Sequence, residues 1–292
     1  MNSTEARCSS RVVWRAWGSA LAALALAGAV RAAESETPEA GAGDSSPPAA
    51  PTRWEGAVGL LMHYNPSYLG SNDSKLHARP GLFLRYGRFS VTTAGGFVTR
   101  RNNDEVQRGL AAELVSRDRL RVSLSARLDG GRDEGDDPIL HGLGDVRATV
   151  RGRLSAVREF GEGWKLSAGF SPDLLGRGGG IVGDMGLSYD WPLTPTLKAS
   201  VSAGFTAADH RYMQSYFGIT PAQSLASGHP VYEPGAGLRD VGVGFGLRAD
   251  LGPHWIGFAN ANTTRLMGPT LDSPLTRSRS AWGIGGGLAW RF

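Results

Sequence analysis

The side chains best equipped for metal binding or proton transfer are six histidines: His63, His77, His141, His210, His229 and His254. No two stand four residues apart and no His-Glu-x-x-His run occurs, so the sequence offers no helix-borne metal pair. Asp209-His210 and Asp136-Asp137 could be read as the acid–base dyads of a protease. Side chains share a strand face only when they stand two apart, and adjacent ones point to opposite sides. Neither pair is therefore expected to act jointly. The glycines at 176, 178, 179, 180 and 183 superficially match a phosphate loop, but no strand–loop–helix frame surrounds them. The acidic run from Asp133 through Glu134 and Asp136 to Asp137 could hold divalent cations between lipopolysaccharide headgroups. Its spacing fits no calcium loop, and it reads as a solvated charged loop. Catalytic, metal-ligating and cofactor-binding residues are expected to be none. More informative are eight basic residues, Arg85, Arg121, Arg151, Arg153, Lys165, Lys198, Arg248 and Arg291, with Glu55, Glu113, Asp190 and Asp250 as possible counterions.

Those charges acquire meaning from the elements that carry them. Leu120, Val122, Leu124, Ala126 and Leu128 alternate with Arg121, Ser123, Ser125 and Arg127. Strict alternation of this length is a strand with one apolar and one polar face. The same period runs through 146–154, 164–170, 197–205, 241–248 and 282–292. About twelve strands are expected, starting near Trp54, Leu76, Phe89, Val106, Leu120, Asp145, Trp164, Gly179, Leu197, Leu238, His254 and Ser280. Most reach the ~9–11 residues that a tilted strand needs to cross a bilayer. Connections alternate between long (65–75, 100–105, 129–144, 171–178, 207–237, 265–279) and tight. Short turns on one side with long loops on the other describe an all-β, antiparallel transmembrane barrel with periplasmic termini.

Alternation alone does not say which face is outside, since a soluble barrel has the same period. The polar face is mostly Gly, Ser, Ala and Arg, which suits a lumen. Aromatic residues also gather on the apolar face beside the tight turns: Trp54, Tyr86, Phe89, Trp164, Trp191, Trp255, Trp290 and Phe292. Amphipathic rings at strand ends are the expected girdle of a membrane interface. The eight basic residues then point inward near the short-turn end. They form either a paired plug or an electropositive mouth favouring anions.

The N-terminal segment reads differently. Arg7, Arg11 and Arg15 precede an apolar run from Ala16 to Val30 and a small-residue site at Ala32, the anatomy of a secretory signal over residues 1–32. Residues 33–53 are Pro, Ala, Ser and Glu with almost no large apolar side chain, so a disordered periplasmic leader is expected before a barrel over 54–292. Residues 1–32 carry most of the formal net charge of +4, and the rest is nearly neutral, which gives no footprint for nucleic acid. The one cysteine, Cys8, lies in the same segment, so no thiol chemistry is expected beyond it. At the other end, Trp290 and Phe292 close an aromatic strand of the kind expected to be presented to the barrel-assembly machinery.

Several long-loop stretches together resemble the MipA/OmpV family: Pro66-Ser-Tyr-Leu-Gly-Ser71, Gly142-Leu-Gly144, Asp173-Leu-Leu-Gly-Arg-Gly178, Tyr216-Phe-Gly-Ile-Thr220 with Gln223, Ser227-Gly228 and Tyr232, and Asp272-Ser-Pro274. Each is weak alone, and their order and spacing carry the likeness. The resemblance implies an outer-membrane barrel of a Gram-negative bacterium with no known enzymatic activity. In the family, one role is a scaffold joining a lytic transglycosylase to a bifunctional peptidoglycan synthase, and other members act as adhesins or influence drug uptake. Three functions follow as expectations: a non-enzymatic scaffold for cell-wall enzymes, a small anion-preferring channel, or an adhesin working through Tyr212, Tyr216, Phe217 and Tyr232 of the longest loop. Outer-membrane lipid and lipopolysaccharide are expected neighbours in each.

Overall fold

The computed structural model describes residues 54–93, 108–117 and 119–292. The expected signal (1–32), the leader (33–53) and the loop 100–105 lie outside the described residues. Twelve strands form one closed antiparallel barrel in which each pairs with its neighbours in sequence and the first pairs with the last. They are β1 (Glu55–Pro66), β2 (Ser74–Tyr86), β3 (Phe89–Thr92), β4 (Gly109–Arg117), β5 (Leu120–Asp129) and β6 (Thr149–Phe160). There follow β7 (Trp164–Pro172), β8 (Ile181–Pro192), β9 (Leu197–Ala208), β10 (Gly237–Asp250), β11 (Trp255–Leu266) and β12 (Ser280–Arg291). Between β9 and β10 lie two short helices, α1 (His210–Phe217) and α2 (Pro221–Ser227).

The seam shows why the barrel closes. β1 and β12 pair from Ala57↔Arg291 to Tyr64↔Ile284. Phe292 extends the ladder by exchanging backbone bonds with Gly56 at 3.0 and 3.2 Å. Closure leaves no free edge for another chain to extend. The seam also demands glycine: a Cβ on Gly59 would sit 2.4 Å from the Leu288 carbonyl oxygen.

Strands begin at Phe89, Leu120, Trp164, Leu197 and Ser280 as the alternation predicts. β6 starts at Thr149 rather than Asp145. The Asp145 carboxylate accepts from the Glu134 N–H at 2.9 Å, and Val146 pairs with Arg132, so the loop takes both residues. Leucine, valine and aromatic side chains stand exposed on the outer face, among them Val58, Leu60, Leu124, Leu154, Phe170, Val243 and Ile284. A band of this kind matches hydrocarbon rather than water.

The buried apolar residues fall into three groups rather than one core. Ala57, Leu61, Phe83 and Ala289, with Phe258 against them, pack inside the lumen. Ala208, Tyr212, Met213, Phe217 and Leu266 form a second group at the long-loop mouth. Leu140, Leu143, Ile219 and Leu275 form a third, drawn entirely from loops.

Candidate functional site

The lumen and its two mouths hold the charged side chains, so they are the candidate site. Along each strand, inward residues are every second one, and register places the rest. At the short-turn mouth the structure brings together Arg85, Arg121, Lys165, Lys198, Arg248 and Arg291. Arg121 pairs with Glu159 at 3.1 Å, Lys165 with Asp190 at 2.6 Å, and Arg291 with Asp250 at 3.2 Å. Arg248 stands 3.8 Å from Asp250, and the Arg85 guanidinium lies over the Phe83 ring at 5.5 Å. Ion pairs therefore hold most of these charges, beside a cavity of about 310 Å³ lined by Lys165, Asp190 and Lys198. Glu159 was missed as a counterion because its segment reads as a turn, yet the alternation of β6 continues through it.

Arg151 and Arg153 do not belong to this group. β6 begins at the long-loop side, and both residues lie within its first five positions, so they face the opposite end of the lumen. Arg151 pairs with Asp129 at 3.0 Å and donates to the carbonyls of Ser171 and Gly179 at 3.0 and 2.8 Å. Arg153 grips both oxygens of Asp184, at 2.5 and 2.8 Å. Here they line a cavity of about 420 Å³ with Arg127, Arg239, Asp240 and Tyr212. Arg239 owes its place to a bulge: the register of β10 against β9 shifts between Leu238 and Asp240. The extra residue turns Arg239 to the lumen, where it bonds Asp240 at 2.5 Å and the Tyr212 hydroxyl at 2.8 Å. Strict alternation hides such a residue.

The long loops above this cavity are folded. Asp209 caps α1 by accepting from the Tyr212 N–H, and Thr220 and Gln223 form a reciprocal capping box on α2, with Pro221 in its first turn. Gly228 ends α2 at φ 77°, the left-handed position that glycine fills without strain. Tyr212 and Tyr216 stack at 4.5 Å. Tyr212 and Phe217 are buried, so they line the cap interior and offer no outward contact surface to an adhesion partner. The loops are tied to one another by polar bonds. Gln223 donates to the Leu143 carbonyl, the Tyr68 hydroxyl to that of Leu275, the Tyr232 hydroxyl to that of Pro269, and the Ser273 hydroxyl to that of Phe217. Burial, with the nearby Asp137 charge adding to it, pushes the Tyr68 hydroxyl up to about 12, so it remains a neutral donor.

The acidic run is partly solvated, with Asp136 exposed, and is also built into the loop's hydrogen bonding. Asp133 and Asp136 cap a single 3-10 turn, Glu134 accepts from the Gly142 and Gly144 N–H groups, and Asp137 is buried, accepting from Ser71 at 3.1 Å.

The expected girdle residues sit on the outer face at the short-turn end. Trp54, Tyr86, Phe89, Trp164, Trp255, Trp290 and Phe292 are exposed, and Trp191 joins them through Tyr189 at 5.7 Å. Trp54 packs on Tyr86 at 5.0 Å, Trp164 on Tyr189 at 4.9 Å, and Trp290 on Phe292 at 5.5 Å. Tyr189 and Phe160 extend the belt beyond the residues that strand ends had pointed to.

The family model described as MltA-interacting protein MipA matches residues 58–292. No curated protein matches the chain. Among solved structures, an outer membrane channel of Pseudomonas putida F1 is 12% identical, over 87% of this chain and 100% of that one, with a TM-score of 0.43. OmpT of Vibrio cholerae is 8% identical, over 82% and 97%, at 0.35. The outer membrane channel DcaP of Acinetobacter baumannii is 10% identical, over 86% and 100%, at 0.34.

Proposed function

The chain belongs to the MltA-interacting protein MipA family and is an outer-membrane β-barrel protein, and from that premise we propose that it serves as a non-enzymatic scaffold with a lumen closed to through-passage. The observation that carries this reading is the packed cap. Leu140, Met213 and Ile219 are 0% exposed although all three belong to loops. Loops usually run over the surface in water, whereas these bury two apolar groups of their own. Below the cap, Leu61, Phe83 and Phe258 occupy the lumen interior, and ion pairs stand at the short-turn mouth.

With the lumen occupied, the surfaces left for a partner are the short periplasmic turns and the leader at 33–53. The family's description, MltA-interacting protein, names an interaction, and the resemblance set out above supplies the partner class: a lytic transglycosylase, and with it a peptidoglycan synthase. The aromatic belt holds the barrel at the inner interface, with lipid and lipopolysaccharide around it, so the turns reach the periplasm at a fixed height. Trp290 and Phe292 serve the assembly machinery by presenting an ordered last strand. The signal over 1–32 routes the chain to this compartment.

The test is photo-crosslinking in living cells from probes at Arg88, Glu162 and Thr194 in the short turns. The expected result is an adduct with a lytic transglycosylase or a peptidoglycan synthase. Adducts confined to the assembly machinery and lipoproteins unrelated to the cell wall would contradict the scaffold reading.

A further inference from the structure

The cavity at the long-loop end handles charge differently from the rest of the lumen. Three of its four arginines have a carboxylate: Arg151 has Asp129, Arg153 has Asp184, and Arg239 has Asp240. Among the described residues, Arg127 has no hydrogen-bond or ion-pair partner. Register puts it in one row with Arg151, directly across from it on β6. Arg108, at the entrance to β4, feels the repulsion of both Arg79 and Arg127, and among the described residues the only opposing charge acting on it is Asp129, which is already engaged by Arg151. Arg79, Arg108 and Arg127, from β2, the start of β4 and β5, therefore lie near one another, and among the described residues none of them has an ion pair of its own.

Gathering like charges inside a protein wall is unfavourable, because the low-dielectric surroundings raise their repulsion and focus the field. Water and a diffuse salt atmosphere offset that repulsion weakly in a recessed site, and a bound anion offsets it directly. Guanidinium groups present paired donors that match carboxylate and phosphate oxygens. The about 420 Å³ of space lies within the ~300–1,000 Å³ range of small-ligand sites. Hydroxyls of Ser171, Thr206 and Tyr212 offer neutral hydrogen bonds beside the cations.

We propose that this vault binds a small solute bearing two or more carboxylate or phosphate groups, held by Arg127, which lines the cavity, with Arg79 and Arg108 beside it. Arg79, Arg108 and Arg127 remain exposed, so the cap does not seal this side of the barrel and solute reaches them beside it, while the interior apolar group stands beyond. The site is a blind pocket, independent of which partner meets the periplasmic turns.

The test is calorimetric titration of the purified full-length barrel in detergent with citrate at fixed ionic strength, with acetate as the monoanion control. The expected result is saturable citrate binding and no saturable acetate binding. Arg127→Gln weakens citrate by about tenfold or more, the size of one lost charge-assisted bond. Arg127→Lys, which keeps the charge without the fork, falls between. Arg158→Gln, on the outer face at the short-turn end, leaves the affinity unchanged. Arg79→Gln provides a second reading should Arg127→Gln fail to give a heat-modifiable barrel. Absence of saturable binding, equal affinity in the Arg79→Gln and folded Arg127→Gln variants, or an equal loss in Arg158→Gln would each overturn the proposal.

Discussion

The two mouths of this barrel are built by different physics. At the long-loop end, four connections fold over the opening, bury apolar side chains, and tie themselves together with neutral hydrogen bonds. At the short-turn end there is too little chain to fold. Inward charges stand there as ion pairs, and the aromatic residues turn outward to the membrane. A cap made of loops has a core that can be unpacked on its own, whereas a charge plug is part of the barrel wall. Perturbations at the two ends should therefore separate.

The largest contrast is sidedness. Leu225 in α2 is 90% exposed, and Glu162 lies in a tight turn between β6 and β7. A cysteine at Leu225 should react in intact cells with an impermeant thiol reagent, and one at Glu162 only after lysis. The opposite pattern would invert the barrel. Next in size are core deletions in the cap. Met213→Ala and Ile219→Ala each remove a fully buried side chain, at about 2–5 kcal/mol. Limited proteolysis should then cut within 207–237 while heat-modifiable mobility of the barrel persists. Loss of the barrel itself would show that cap and wall are one unit.

Ion pairs come third, and they rank by burial. Arg151 is 2% exposed, and Arg151→Gln leaves Asp129 and two carbonyls without their donor, a cost of about 3 kcal/mol. Arg121 and Glu159 are both about one-fifth to one-quarter exposed, so Arg121→Gln should cost under about 1 kcal/mol. Thermal unfolding in detergent should order them so, and equal shifts would remove the distinction between the ends.

The smallest effect is expected at Asp173, beyond the end of β7. Burial alone would raise its carboxyl, but bonds from Thr149 and from the Gly179, Leu175 and Arg177 backbones outweigh it and hold the group below its usual value. A depressed carboxyl adds stability above its unfolded pKa of about 3.9, and that stability is lost as pH falls through the folded value. Hydrogen exchange of the Gly179 amide should quicken in that acid window in the wild type. Asp173→Asn should show fast exchange already at neutral pH.

The sequence made the wall legible and the interior less so. Period-two alternation located most strand starts and the outward face because that face meets one uniform solvent. It failed where both faces are apolar, as at Leu82-Phe83-Leu84, so the lumen group around Phe83 stayed hidden. It failed at Arg239, where a bulge shifts the register, and at Arg151 and Arg153, whose end of the barrel depends on strand direction. The cap helices have eight and seven residues, too few to show a helical period, yet Asp209 and the Thr220–Gln223 box mark their starts. The stretches that carry the family resemblance prove to be cap parts. Ser71 bonds Asp137, Gly70 accepts from Arg277 and Ser278, and Gln223 reaches Leu143.

The central claim is closure, and planar-bilayer recording of the purified, refolded wild-type chain tests it most directly. The account predicts insertion without steady conductance, because on the proposed reading the cap and the interior apolar group interrupt the aqueous path. A stable, ohmic current, above all an anion-selective one, would contradict closure and put a channel in place of the scaffold.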